Sequence, residues 1–204
     1  MLNKNKICVI GAGRWGRNHI RTLYEMGYLS AIVEPNKYHV EELKEIYSDI
    51  AFYTSIEETL DCNFLGYVIA TPAPTHYSLA KKIIENGFPV LIEKPMTLNI
   101  FESEELLEIS KKNNVNIMVG HVLLFHPAIQ KIKELLDANK IGKLQYVYSN
   151  RLNLGQVRTE ENVFWSFAPH DISILQFLTG SFPEEINTMG GAFLQEDIHD
   201  STIT

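Results

Sequence analysis

Short apolar runs separated by amphipathic stretches occupy residues 6–120, an alternation that predicts a parallel sheet wrapped by helices. Strands are expected at Ile7 to Ile10, Leu29 to Val33, Ala51 to Tyr53, Gly66 to Ala70, Val90 to Glu93 and Asn116 to Val119. Between the first two, Trp15, Ile20 and Leu23 recur at helical spacing, which predicts a helix from Arg14 to Met26 that buries all three and ends at Gly27 in a left-handed cap. Ser55 with Glu58 and Asn99 with Glu102 have the spacing of capping boxes, and Gly87 closes a helix that begins near Thr75.

After residue 120 the rhythm changes. A helix is expected at about Pro127 to Ala138, a turn at Gly142, an alternating strand from Leu144 to Asn153, a helix from His170 to Leu178 capped by Gly180, and a strand near Glu185 to Phe193. These strands are too irregularly separated for further strand-helix-strand units, so a second domain of α+β type is expected over residues 121–204, following an α/β domain over 1–120. Asp200 to Thr204 has the pattern of one more opening strand, so the chain reads as truncated.

Composition narrows the partners. A hydrophobic content of 45% over 204 residues suffices for packed cores, while a formal charge of -7 and a pI near 5.5 exclude non-specific binding to nucleic acid or to anionic membranes. Two cysteines, Cys8 and Cys62, both of small buried type, imply no disulfide framework, and no apolar run approaches the roughly 18 residues of a membrane span. Without a signal peptide pattern the expected compartment is the cytoplasm, and no metal ligand set is assigned.

The first strand runs directly into Gly11-Ala-Gly13-Arg14-Trp15-Gly16. In that context Gly11 permits the tight turn, Gly13 lets backbone amides approach a pyrophosphate, and Gly16 lets the following helix pack closely, with phosphates at its positive end. Glu34 ends the second strand about 20 residues further on, where dinucleotide folds hold the adenosine ribose hydroxyls. A carboxylate there favours NAD over NADP through repulsion of a 2′-phosphate, an effect that the nearby Lys37 would soften. Two further turns fall at the same sheet edge. Glu93-Lys94-Pro95 follows the fifth strand, and its Lys reads either as a solvated turn residue or, beside a cis proline, as an ammonium aimed at the nicotinamide end of a cofactor. Thr71-Pro72 and His76 follow the fourth strand, with His76 open to two roles, in the first helical turn or as a ligand.

Together, the glycine triplet, the acidic end to strand two, Thr-Pro-x-x-x-His and above all Glu-Lys-Pro resemble the glucose-fructose oxidoreductase, inositol dehydrogenase and MocA family over essentially the whole chain. The resemblance implies a Rossmann domain followed by a domain with an open-faced mixed sheet, homodimers or homotetramers, and a small-molecule sugar substrate. It implies contacts of Lys94 with both cofactor and substrate hydroxyl, and a cis bond at Lys94-Pro95. The catalytic base that it implies is His170, within Trp165-Ser-Phe-Ala-Pro-His170-Asp171, whose imidazole takes the hydroxyl proton while Lys94 stabilises the developing alkoxide. Two departures stand out. Ser166 occupies the place where many members have an Asp that orients the base, and Asp171, adjacent to His170 on the helix, would point elsewhere, while His121 replaces the usual polar contacts after strand six.

Within the family, the run Asn150-Arg151-Leu-Asn153-Leu-Gly155-x-x-Arg158, followed by Trp165 and Pro-His-Asp, is similar to members that oxidise C3 of nucleotide-linked amino sugars. Arg151 and Arg158 suit a diphosphate or carboxylate, or else pair with Glu160 and Glu161 at the surface. The expected substrate contacts are therefore His121, Arg151, Asn153, Arg158, Trp165 and Asp171. The leading expectation is an NAD-dependent dehydrogenase of a UDP-linked N-acetyl hexosamine. Oxidation of a free sugar or cyclitol, and a non-catalytic cofactor-sensing regulator on the same fold, are the alternatives.

Overall fold

The computed structural model describes residues 7–152 and 161–204, in two compact units spanning 1–120 and 121–204. The first unit carries strands β1 (Ile7–Ile10), β2 (Leu29–Val33), β3 (Ala51–Tyr53), β4 (Gly66–Ile69), β5 (Val90–Ile92) and β6 (Ile117–Val119). They form one parallel sheet in the order β3-β2-β1-β4-β5-β6, the doubly wound arrangement of dinucleotide-binding domains. Helices α1 (Gly16–Glu25), α2 (Lys37–Ile46), α3 (His76–Glu85) and α4 (Ile100–Asn113) connect the strands.

Alternation along each central strand divides the core in two. Cys8 and Ile10 of β1, Ala31 and Val33 of β2 and Tyr67 and Ile69 of β4 pack on one face with Ala80, Ile83 and Ile84 of α3 and Leu106 of α4. Val9, Ile32 and Val68 point to the opposite face, against Ile20 of α1 and Leu43 of α2. Both faces are covered, so the strands read as nearly continuous apolar runs. Burial contributes about 1.5–3 kcal/mol for each such Ile or Leu, and it pushes the Cys8 thiol far above its ordinary range.

Cap chemistry follows the sequence in part. Gly27 and Gly87 take positive φ (74° and 81°) where helices end, and the Asn99 side chain accepts the Phe101 N–H at 2.9 Å. At Ser55 the carboxylate of Glu58 accepts the N–H groups of Thr54 and Ser55, but only a single 3-10 turn, Glu57–Thr59, follows. Trp15 departs from expectation: its ring is 46% exposed and stands on the turn before α1 rather than in the core.

The second unit carries α5 (Pro127–Asp137), α6 (Val163–Thr179) and an antiparallel pair, β7 (Met189–Gly191) with β8 (Ser201–Ile203). Gly142 and Gly180 adopt the expected positive φ. Three expectations change. The helix predicted from His170 starts earlier, because the Asn162 side chain accepts the Trp165 N–H at 3.0 Å and Pro169 is carried inside the helix. The strand at Leu144 to Asn153 does not form over residues 144–152, where no ladder is made among the described residues and Tyr146, Tyr148 and Leu152 stay exposed; Asn153 lies outside the described residues. The strand expected over Glu185 to Phe193 shortens to the stretch that pairs with β8.

Candidate cofactor and alcohol site

Five residues stand one step beyond strand ends, and their amides extend the ladder: Gly11 to Val33, Glu34 to Tyr53, Ala70 to Ile10, Glu93 to Ile69 and Gly120 to Ile92, at 2.8–3.0 Å. All five are therefore at the carboxyl edge of the sheet, where ligands of open α/β sheets bind beside the reversal in strand order, here between β1 and β4.

The three glycines differ in the space around them. Gly11 has φ +92° and a Cβ there would lie 2.8 Å from the Ala70 carbonyl, while a Cβ on Gly16 would lie 2.0 Å from the Gly11 carbonyl. At Gly13 no protein atom is within 4 Å of a Cβ position. That open flank beside a helix N-terminus fits a pyrophosphate. Arg14 is exposed on the same turn.

Glu34 is 7% exposed, and its carboxylate accepts the Ala12 N–H at 2.8 Å and the Asn36 N–H at 2.9 Å. His39 of α2, a residue with no signal in the sequence, brings Nδ1 to 3.8 Å from the same carboxylate. Arg17 does not join them: its guanidinium is held by both oxygens of Glu42 and by the Ala12 carbonyl. Hydrogen bonding to Arg17 lowers the Glu42 carboxyl below its usual range.

Around the β5 edge the Lys94-Pro95 bond is cis. Glu93 is buried, and its Oε1 accepts from Trp15 Nε1 at 2.5 Å and lies 2.6 Å from His19 Nε2. Trp15 and His19 are four residues apart, so they share one helical face. That spacing is the signal that would have paired them; instead the helical spacing of Trp15 with Ile20 and Leu23 suggested core. His76 is 1% exposed, with Nδ1 at 2.8 Å from the Pro95 carbonyl and Nε2 at 2.9 Å from the Thr71 carbonyl. Both ring nitrogens thus face backbone oxygens from the first turn of α3. Thr71 and Pro72 are braced in turn through Thr75, whose hydroxyl bonds Thr71 Oγ1 and donates to the Pro72 carbonyl.

In the second unit, His121 begins a 3-10 turn, Val122–Phe125, and His126 Nδ1 caps α5 by accepting the Ala128 N–H. Trp165 is 40% exposed in the first turn of α6 and Ser166 beside it is buried. His170 and Asp171 follow in the same helix. The Asp171 carboxylate accepts from Arg151 Nε at 2.5 Å, from its NH2 group at 3.1 Å and from the Ser149 hydroxyl at 2.8 Å. Burial alone would raise this carboxyl, but the hydrogen bonds from Arg151 and Ser149 outweigh it and hold Asp171 below the usual range. Among the described residues Arg151 pairs with Asp171, an ion pair that the sequence did not signal, and Glu160 lies outside the described residues. Arg158 and Asn153 lie outside the described residues.

Residues 5–121 match an oxidoreductase family with an NAD-binding Rossmann fold, and the chain belongs to this glucose-fructose oxidoreductase, inositol dehydrogenase and MocA family. Over 187 residues it is 28% identical to a UDP-N-acetylglucosamine 3-dehydrogenase from Acidithiobacillus ferrooxidans, covering 90% of this chain and 57% of that protein. A solved structure of the same-named enzyme from that organism superimposes with a TM-score of 0.85 at 27% identity, over 97% of this chain and 63% of the other. It is also 28% identical to an NAD(+)-dependent scyllo-inositol 2-dehydrogenase from Bacillus subtilis, over 94% of this chain and 58% of that enzyme. The chain thus spans between 57% and 63% of the length of these relatives. No helix among the described residues is long and apolar enough to cross a membrane.

Proposed function

We propose that the protein is an NAD-dependent oxidoreductase of a sugar secondary alcohol, with C3 of a UDP-linked N-acetyl hexosamine as its substrate. The observation that carries this reading is the joining of three elements at one sheet edge. The glycine turn is bonded through Ala12 to Glu34 and through Trp15 to Glu93, the neighbour of Lys94.

NAD, when bound, supplies the hydride acceptor. The open flank of Gly13 and the start of α1 would hold its pyrophosphate. A carboxylate offers about four lone-pair sites, so Glu34 can accept ribose hydroxyls in addition to its two amides. Its charge repels a 2′-phosphate, which favours NAD over NADP. Lys94 holds the substrate hydroxyl and stabilises the alkoxide as hydride leaves, and His170 takes the hydroxyl proton. Similarity to the UDP-N-acetylglucosamine 3-dehydrogenase supports the nucleotide sugar.

One observation favours a second reading. The Arg151 guanidinium is already bonded to a carboxylate of its own unit, which weakens it as a diphosphate ligand and suits an uncharged sugar or cyclitol, in line with the inositol dehydrogenase relative. Purified protein incubated with NAD or NADP and a panel of UDP-N-acetyl hexosamines and inositols, followed by absorbance of the reduced cofactor, separates the two. Turnover of the nucleotide sugars with NAD is expected, turnover of inositols alone transfers the assignment to the second reading, and tight NAD binding without any turnover overturns both. In the same assay Glu34→Ser is expected to raise relative use of NADP by roughly 10-fold, equivalent to about 1.4 kcal/mol.

A further inference from the structure

The turn that carries Lys94 is gripped on both sides by imidazoles from outside it. Before the Lys, Glu93 is fixed by His19 at 2.6 Å and by Trp15 at 2.5 Å on one oxygen, while its other oxygen accepts the Lys94 N–H at 3.3 Å. Gly120 stands on the remaining side: a Cβ there would lie 3.0–3.1 Å from the carboxyl atoms of Glu93, so a side chain at this position would crowd the carboxylate. After the Lys, the Pro95 carbonyl faces Nδ1 of the buried His76, whose Nε2 faces the carbonyl of Thr71 in the neighbouring turn.

A lysine ammonium rides on a flexible four-carbon stem, so its reach is set by how firmly the backbone beneath it is held. Misplacement of a reacting group by about 1 Å costs on the order of 100-fold in rate. An apolar residue would fill the space of either histidine; neither would restrain a carboxylate or a carbonyl of this turn. We propose that His19 and His76 are positioning residues for Lys94, His19 acting through Glu93 and His76 through the Pro95 carbonyl. The inference rests on the reading of Lys94 as the group that meets the substrate alcohol, and it names the parts of the fold that aim it.

The amide nitrogen of Asn stands close to where Nδ1 of a His would be, and that of Gln close to Nε2. A neutral imidazole donates from one ring nitrogen only, so one of the two carbonyls takes the His76 proton, and the two amides separate the two contacts: His76→Asn keeps a donor for Pro95, His76→Gln keeps one for Thr71. At position 19 the bond uses Nε2, so His19→Gln retains it and His19→Leu does not. Each variant of the full chain is assayed for NAD affinity by fluorescence titration, for kcat and KM of the alcohol, and for the acetylation rate of Lys94 by peptide mass spectrometry. His76→Gln and His19→Leu are expected to lower kcat roughly 10- to 100-fold with KM and NAD affinity little changed and to alter Lys94 acetylation several-fold. His76→Asn and His19→Gln stay near wild type.

Equal kcat and equal Lys94 labelling between His76→Asn and His76→Gln, or between His19→Gln and His19→Leu, overturn the proposal. Should the buried position 76 fail to fold when changed, as circular dichroism would reveal, the comparison at the more exposed position 19 decides alone. Wild-type turnover in Lys94→Met defeats the catalytic reading instead, and the labelling rates still decide whether the two histidines hold the turn.

Discussion

Among the described residues, every buried apolar side chain lies between Cys8 and Leu106, whereas in the second unit the only buried side chains are those of Ser166 and Ser173. Phe182, Phe193, Tyr146 and Leu152 there are each at least 78% exposed. The contrast follows from architecture. A parallel sheet brings its own cover, because each strand is reached through a helix that packs on one of its faces. The described residues of the second unit provide one two-stranded antiparallel pair and two helices, and sheets of that size are marginal alone. The first unit is thus built to hold a shape, while the described part of the second buries little apolar surface.

The sharpest way to break this contrast is at His170. His170→Ala is expected to lower turnover by roughly 10²- to 10⁴-fold while leaving the melting temperature nearly unchanged. A large fall in melting temperature with turnover intact would mean that the residue serves the fold instead. Stability itself should divide along the same line. Ile83→Ala empties a fully buried position between α3 and the sheet and is expected to cost about 2–5 kcal/mol. Phe182→Ala, at an exposed site, should stay within about 0.5 kcal/mol. Urea unfolding of both variants checks the pair, and equal costs would erase the distinction.

A smaller effect concerns acid. The Asp171 carboxyl is lowered in the folded protein, so its pair with Arg151 stabilises the second unit above the ordinary carboxylate pKa of about 3.9 and is lost as pH falls through the lowered value. Asp171→Asn should remove about 1 kcal/mol near neutral pH and flatten the acid limb of an unfolding curve. Smaller still, Glu42→Gln breaks a pair at the surface of the first unit and is expected to leave stability nearly unchanged, with a visible salt dependence in thermal melts.

The first unit was largely legible as sequence. Its six strands fall within a residue of their expected bounds, because continuous Val and Ile runs bounded by glycine and polar turns have few other solutions. The second was less so. The alternation at Leu144 to Asn153 is a genuine strand pattern, but a strand exists only when another segment accepts its hydrogen bonds, and no local signal carries that information. α6 begins before the expected His170, since the Asn162 cap and the apolar residues that follow sustain the helix through Pro169.

What the sequence determined by itself is local and short-range. It set the glycine turn, the acidic end of β2, the order of strands and helices, and the family to which they belong, since each depends on backbone freedom or on a periodicity that spans a few residues. Only the tertiary structure decided that Trp15 leaves the core for Glu93, that His19 and His76 converge on the turn of Lys94, and that Asp171 captures Arg151. Those pairings join residues 19 to 78 positions apart, and those of the first unit arise because a parallel sheet returns every strand to the same edge.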